Sequence, residues 1–185
     1  MIRDGLNEFG SKRVLMLQGP VGPFFSRLAT DLALVGATVF KVNFNGGDWL
    51  FSRNARFAEV FNFRGSHAEW PAYVDDLLVR LNVEMVFLFG DCRPMHVAAL
   101  GRAQQRGIHV GVFEEGYLRP DYITLERDGV NNNSSLPSDP RFYLKQPTQV
   151  PPPARPLGST YGQAAKWGML YFAAASLARP WFAKY

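Results

Sequence analysis

Cysteine occurs once in these 185 residues, at Cys92. A single thiol rules out an internal disulfide and a zinc site built on cysteines. Histidine is also scarce. His67 and His96 sit near helix starts, neither makes a ligand spacing with another histidine, and each reads as a cap or a surface residue. Long apolar runs are missing too: nothing approaches the ~20 unbroken apolar residues of a membrane span. Met1-Ile2-Arg3-Asp4-Gly5 lacks the apolar core of a signal peptide. These absences lead us to expect a cytoplasmic protein. Charged residues make up only 19% of the chain, with a net charge of +4 and the cations scattered. That argues against a nucleic-acid partner and suits an anionic small ligand or an anionic membrane surface.

What is present is a 47% hydrophobic, globular composition, enough for one well-cored domain. Residues 1–12 are polar and read as a loose arm. Arg13 to Gln18 is a first buried strand, followed by the turn Gly19-Pro20-Val21-Gly22-Pro23. A helical pattern runs from Phe24 to Val35, and Thr38 to Val42 is a second strand. The polar stretch Asn43-Phe44-Asn45-Gly46-Gly47-Asp48-Trp49 reads as a loop. Its aromatic and amide groups suit a sugar and equally suit an ordinary surface, and Asn45 is its candidate ligand. Arg53, Arg56 and Arg64 form a basic edge. Helical spacing returns over His67 to Asn82, then a strand over Glu84 to Phe89 ending in Gly90-Asp91-Cys92-Arg93-Pro94. Met95 to Arg106 is a helix, and His109 to Phe113 is the fourth strand.

Alternating strands and helices predict an α/β fold, a Rossmann-like, doubly wound parallel sheet over residues 13–145. The first turn is not a dinucleotide fingerprint, because Phe25 stands where its third glycine belongs and no acidic residue closes the second strand. An NAD-binding domain of unrelated enzymology is therefore disfavoured. Gly19 and Gly22 either bring a phosphate or sugar close to the backbone or merely make a tight turn. Beyond the fourth strand lie an extended segment over Tyr122 to Glu126, the turn Asp128-Gly129 and a polar loop through Asn131-Asn132-Asn133. Pro137 to Tyr143 reads as irregular. Residues 146–160, with Pro147, Pro151, Pro152, Pro153 and Pro156, read as a stiff linker. Residues 161–185 read as a helix mixing Trp167, Tyr171, Phe172, Trp181 and Phe182 with Lys166 and Arg179. Such a helix suits either peripheral contact with a membrane interface or packing on a further domain, and its apolar end suggests truncation.

The fourth strand runs directly into Glu114-Glu115-Gly116-Tyr117-Leu118-Arg119-Pro120-Asp121. Three informative turns, at Gly19–Gly22, Gly90–Arg93 and Glu114–Arg119, then share the carboxyl rim of the sheet, where open α/β folds keep their ligands. Alternation points Glu114 and Glu115 to opposite faces, so one of the two is placed for chemistry. The candidates are Glu115, Glu114 and Asp91 for catalysis, and Gly19, Gly22, Asn45, Arg93 and Arg119 for substrate.

The run from Phe113 to Glu126, with Gly129-Val130-Asn131 and Ser134-Ser135-Leu136-Pro137 after it, resembles the capsule polysaccharide synthesis and export family. More narrowly, it is similar to the cytoplasmic β-Kdo transferases that begin the Kdo linker on a phospholipid in capsules exported by ABC transporters. The resemblance covers roughly residues 13–185. It implies the amino-terminal half of a GT-B-type variant, with a second domain to follow. It also implies retaining transfer from CMP-Kdo to a lyso-phosphatidylglycerol-type acceptor, at the inner membrane and beside other capsule synthesis and export proteins. In related chain-extending transferases the motif reads Glu-Asp-Gly-Phe with the second acid as nucleophile, a role that falls by position on Glu115. No cofactor is implied beyond the CMP-Kdo donor, and with no Asp-x-Asp pair no metal is implied either. The alternative is a non-catalytic interaction module of the capsule assembly and export machinery.

Overall fold

The computed structural model describes residues 2–116, 122–145 and 161–182. Its sheet has six strands: β1 (Arg13–Met16), β2 (Thr38–Asn43), β3 (Glu59–Asn62), β4 (Met85–Phe89), β5 (His109–Glu115) and β6 (Ile123–Arg127). Their order is β3-β2-β1-β4-β5-β6, the first five parallel and β6 antiparallel to β5. This is the doubly wound arrangement that the strand-helix alternation predicts. The strand order reverses between β1 and β4, so the crevice of such a sheet opens at the loops after those two strands.

Alternation along the strands builds two cores. Leu15, Val42, Val86, Leu88, Val110 and Val112 face helices α3 (Trp70–Arg80) and α4 (Pro94–Gln105). Val14, Met16, Val39, Phe87 and Phe113 face helix α1 (Phe24–Leu34), whose Phe25, Ala29 and Leu32 are buried at helical spacing. Ile2–Phe9 is not a loose arm but a 3-10 helix. Leu6 and Phe9 pack against the second core, and the Phe9 ring meets Phe87 edge-on at 5.7 Å. Burial of two apolar side chains holds a segment whose polar composition alone does not.

Two elements replace stretches that the sequence suggests are irregular. Gly46–Ser52 is helix α2, and Pro140–Leu144 is the short helix α5, capped by the Asp139 side chain. In α2, Asn45 accepts from the Asp48 amide at 3.0 Å, and Asp48 in turn accepts from the Phe44 amide at 3.0 Å. This reciprocal cap satisfies orphan amides at the helix start and outweighs the cost of two glycines in the first turn. Strand β3 falls inside the stretch read as a basic edge, where Arg53 lies 4.8 Å over the Trp49 ring. The proposed linker at 146–160 lies outside the described residues. Helix α6 (Tyr161–Leu177) packs across α2.

One strand residue breaks the apolar rule. Lys41 of β2 is only 4% exposed, and its ammonium donates to the carbonyls of Leu17 at 2.9 Å and Val42 at 2.6 Å. Burial lowers its pKa to about 8, partly countered by the negative charge of Asp48. The folded protein therefore releases this proton before the unfolded chain does. The stability contributed at Lys41 rises as pH climbs from about 8 towards about 10.5, by an amount on the order of 3 kcal/mol. Lys41→Met is expected to flatten this rise in a urea-unfolding series run from about pH 7 to about pH 10. An unchanged slope would show that Lys41 titrates as if in water.

Candidate functional site at the carboxyl rim

The rim is built from the ends of β1, β4 and β5. After β4, Gly90 takes a left-handed φ of +71°, which glycine tolerates, and its amide donates to the Phe113 carbonyl at 2.8 Å. Beneath this turn His96 is fully buried rather than a surface residue. Its Nδ1 lies 2.6 Å from the Gly90 carbonyl, which can only accept, so Nδ1 carries the proton and Nε2 has no partner among the described residues. Burial first, eased by that hydrogen bond, pulls its pKa down to about 4. His96 is thus a neutral brace for the β4–α4 turn.

Glu114 and Glu115 close β5, opposite Thr124 and Ile123 of β6. Glu114 continues the row of Val110 and Val112, and Glu115 continues that of Gly111 and Phe113, so the two side chains leave opposite faces as alternation requires. Glu114 Oε1 accepts from the Glu115 amide at 2.9 Å, while its Oε2 faces Gly90. Glu115 is exposed at the rim. Arg93, at the start of α4, is exposed and donates to Gln18 Oε1 at 2.8 Å. Arg119 lies outside the described residues.

The other predicted site residues are placed differently. Asp91 is buried, and its Oδ2 accepts from the Val130 amide and from Asn133 Nδ2, each at 3.0 Å. Its Oδ1 accepts from the Cys92 thiol at 3.2 Å. Burial pushes this carboxyl upward, but the hydrogen bonds together outweigh it and hold the group below the usual range. Asp91 therefore pins the chain after β6 against the sheet. Asp91→Ala is expected to cost about 1–3 kcal/mol and to speed amide hydrogen exchange at Val130. Wild-type exchange there would refute the anchoring role.

The glycines of the first turn are covered by the protein's own rings. A Cβ on Gly19 would meet Phe25 at 2.8 Å, and one on Gly22, at φ +117°, would meet Trp167 at 3.5 Å. The space between Gly19, Lys41, Asp48 and Tyr171 is only about 20 Å³, room for about one water and far too small for a sugar. Asn45 is likewise committed, capping α2 and donating to Tyr171 Oη at 2.9 Å. The Asn-Gly-Gly-Asp stretch is thus a seat for α6. A Cβ on Gly46 would fall 2.2 Å from the Ala174 carbonyl oxygen, and one on Gly47 would fall 2.5 Å from the Tyr171 ring. Tyr171 is buried against this seat, donates to Asp48 Oδ1 at 3.0 Å and accepts from Gln18 Nε2 at 2.7 Å.

Sequence reasoning missed Lys41, Tyr171 and the buried His96. Lys41 carried a signal, a lone cation in the strand Thr-Val-Phe-Lys-Val-Asn. Asn45-x-x-Asp48 carried another, the spacing of a helix cap. Nothing in the sequence links Tyr171 to residues more than 120 positions earlier. Among the described residues, no group of three His, Cys, Asp or Glu side chains is placed to hold a metal, and no helix is long and apolar enough to cross a membrane.

A doubly wound sheet with paired carboxylates and an arginine at its carboxyl rim defines an α/β protein of the Rossmann-like class. The sequence profile of the family described as "Capsule polysaccharide biosynthesis protein" matches residues 84–185, more than half of the chain. The chain belongs to that family. It is similar to the "Capsule polysaccharide export protein KpsS" of Escherichia coli, 43% identical over 141 residues, 76% of this chain and 36% of that protein. It is also similar to the "Capsule polysaccharide modification protein LipB" of Neisseria meningitidis serogroup A, 43% identical over 136 residues, 74% of this chain and 32% of that protein. The matched region is thus about a third of these relatives' length. Among solved structures, a short-chain type dehydrogenase/reductase from Mycobacterium marinum aligns with a TM-score of 0.40 at 13% identity, covering 68% of this chain and 65% of that one.

Proposed function

We propose that the full-length protein transfers Kdo from CMP-Kdo, with retention, to a lyso-phosphatidylglycerol-type lipid and so begins the linker of a capsular polysaccharide. The observation that carries this reading is the Glu114–Glu115 pair at the end of β5, on the rim beside Gly90, in a chain of the capsule family.

A retaining transfer can proceed by two displacements. The Glu115 carboxylate attacks the anomeric carbon, the bond from that carbon to the phosphate oxygen breaks, and CMP leaves with the electron pair. The lipid hydroxyl then attacks the same carbon, gives up its proton, and breaks the ester to Glu115. Glu114 leaves the opposite face and accepts from the Glu115 amide, so it is the candidate orienter of Glu115, and Asp91 is committed to the Val130 loop; the proton therefore goes to water at the exposed rim. CMP is a good leaving group and needs little acid help. Arg93 and Arg119 would hold the Kdo carboxylate or the phosphate, as planar guanidinium groups do.

The test is CMP release from CMP-Kdo by the full-length protein, with and without lyso-phosphatidylglycerol. Sustained release that depends on the lipid is expected. If neither donor nor lipid is turned over, the non-catalytic module of the capsule machinery takes its place. That second reading is favoured by the exposed Met169, Phe172, Leu177 and Trp181 of the α6 region, a surface suited to a partner.

A further inference from the structure

The side chains that seat α6 also form a continuous line to the rim, and the two ends of that line fix its direction. A guanidinium has no lone pair to offer, so Arg93 must donate to Gln18 Oε1, at 2.8 Å. This leaves Gln18 Nε2 as donor to Tyr171 Oη, at 2.7 Å. At the far end a carboxylate only accepts, so the tyrosine proton points at Asp48 Oδ1, at 3.0 Å. Asn45 Nδ2 fills the remaining acceptor position on Tyr171 Oη at 2.9 Å. Turning over the Gln18 amide breaks the bonds at both of its ends. Burial first, then the charge of Asp48, raises the Tyr171 phenol well above its ordinary value, so the hydroxyl stays protonated and the line stays polarised.

Arg93 makes no second side-chain hydrogen bond among the described residues, so the rest of its guanidinium is open to an anion. Its position depends on Gln18, and the Gln18 amide is held by a tyrosine from a helix beyond residue 160. We propose that Tyr171 is a positioning residue for the anion site at Arg93, so that docking of α6 sets the affinity of the rim for the phosphate of its donor. This rests on the anion role given to Arg93 above. Helix α6 would then regulate a site to which Tyr171 contributes no ligand.

The variant of choice is Tyr171→Phe in the full-length protein. It keeps the ring that stacks on Phe51, at 6.3 Å and 18°, and so keeps α6 seated. The probe is CMP, titrated by calorimetry into wild type, Tyr171→Phe, Arg93→Ala and the double variant. The expected result is a Kd raised about 5- to 10-fold by Tyr171→Phe, with no further loss when that change is added to Arg93→Ala. Equal losses from Tyr171→Phe with and without Arg93 would overturn the inference, because they would show a general loosening rather than action through Arg93. If Arg93→Ala weakens binding and Tyr171→Phe does not, the coupling fails while the anion role stands. If Arg93→Ala is silent, or wild type binds no CMP, the anion role fails and the coupling with it.

Discussion

Glu115→Gln in the full-length protein is expected to lower Kdo transfer by about 10³-fold or more, with both lipid and donor saturating. Glutamine keeps the shape of the side chain and removes the negative charge that would attack the anomeric carbon. Glu115 is exposed at a strand end, so stability should change little. Glu114→Gln should give a much smaller loss, because the amide oxygen can still accept from the Glu115 amide and hold the end of β5. The two variants therefore separate the attacking carboxylate from its orienting neighbour. Full activity in Glu115→Gln would assign the nucleophile elsewhere and remove the main support for a double displacement.

The second large effect is on stability and falls at the seat of α6. Gly47→Val places two methyl groups where the Tyr171 ring lies 2.5 Å from a bare Cβ. The ring cannot retreat without breaking the bonds to Gln18, Asn45 and Asp48. The expected cost is about 3 kcal/mol, read as a lower Tm. Early proteolysis within α6 and a red shift of Trp167 emission, as its contact with Phe51 opens, should accompany it. Gly168→Ala is the control. A Cβ there meets nothing within 4 Å, so that change should leave α6 seated and stabilise it slightly through helix propensity. If Gly47→Val melts like wild type, α6 is not held by this seat.

The sheet was legible because its strands are apolar on both faces and its helices carry one apolar stripe. Val86 and Leu88 feed one core, Phe87 and Phe89 the other, and no other element type suits such a run. The rim was legible for the same reason, since ends of buried parallel strands must share an edge. What lay on the rim was less so. Asp91 and Glu115 are both acids at the end of a buried strand, and composition cannot tell that one is buried against a backbone amide 39 positions on while the other is exposed. The glycines of Asn-Gly-Gly-Asp suggested a flexible loop because glycine disfavours helix. Their function is steric, and only the helix lying across them reveals it.

The hydrogen bond from Gln18 to Tyr171 joins residues 153 positions apart, and this has a consequence for biosynthesis. Strands β1 to β5 close through neighbouring βαβ units and can assemble as each emerges from the ribosome. The seat on α2 cannot, because its covering helix is translated more than 100 residues later. Until then Asn45, Asp48 and the faces of Gly46 and Gly47 wait beside an open apolar surface. Docking of α6 is therefore the last local step to complete in this region, and the nascent chain is most exposed to chaperones and proteases in the interval before it.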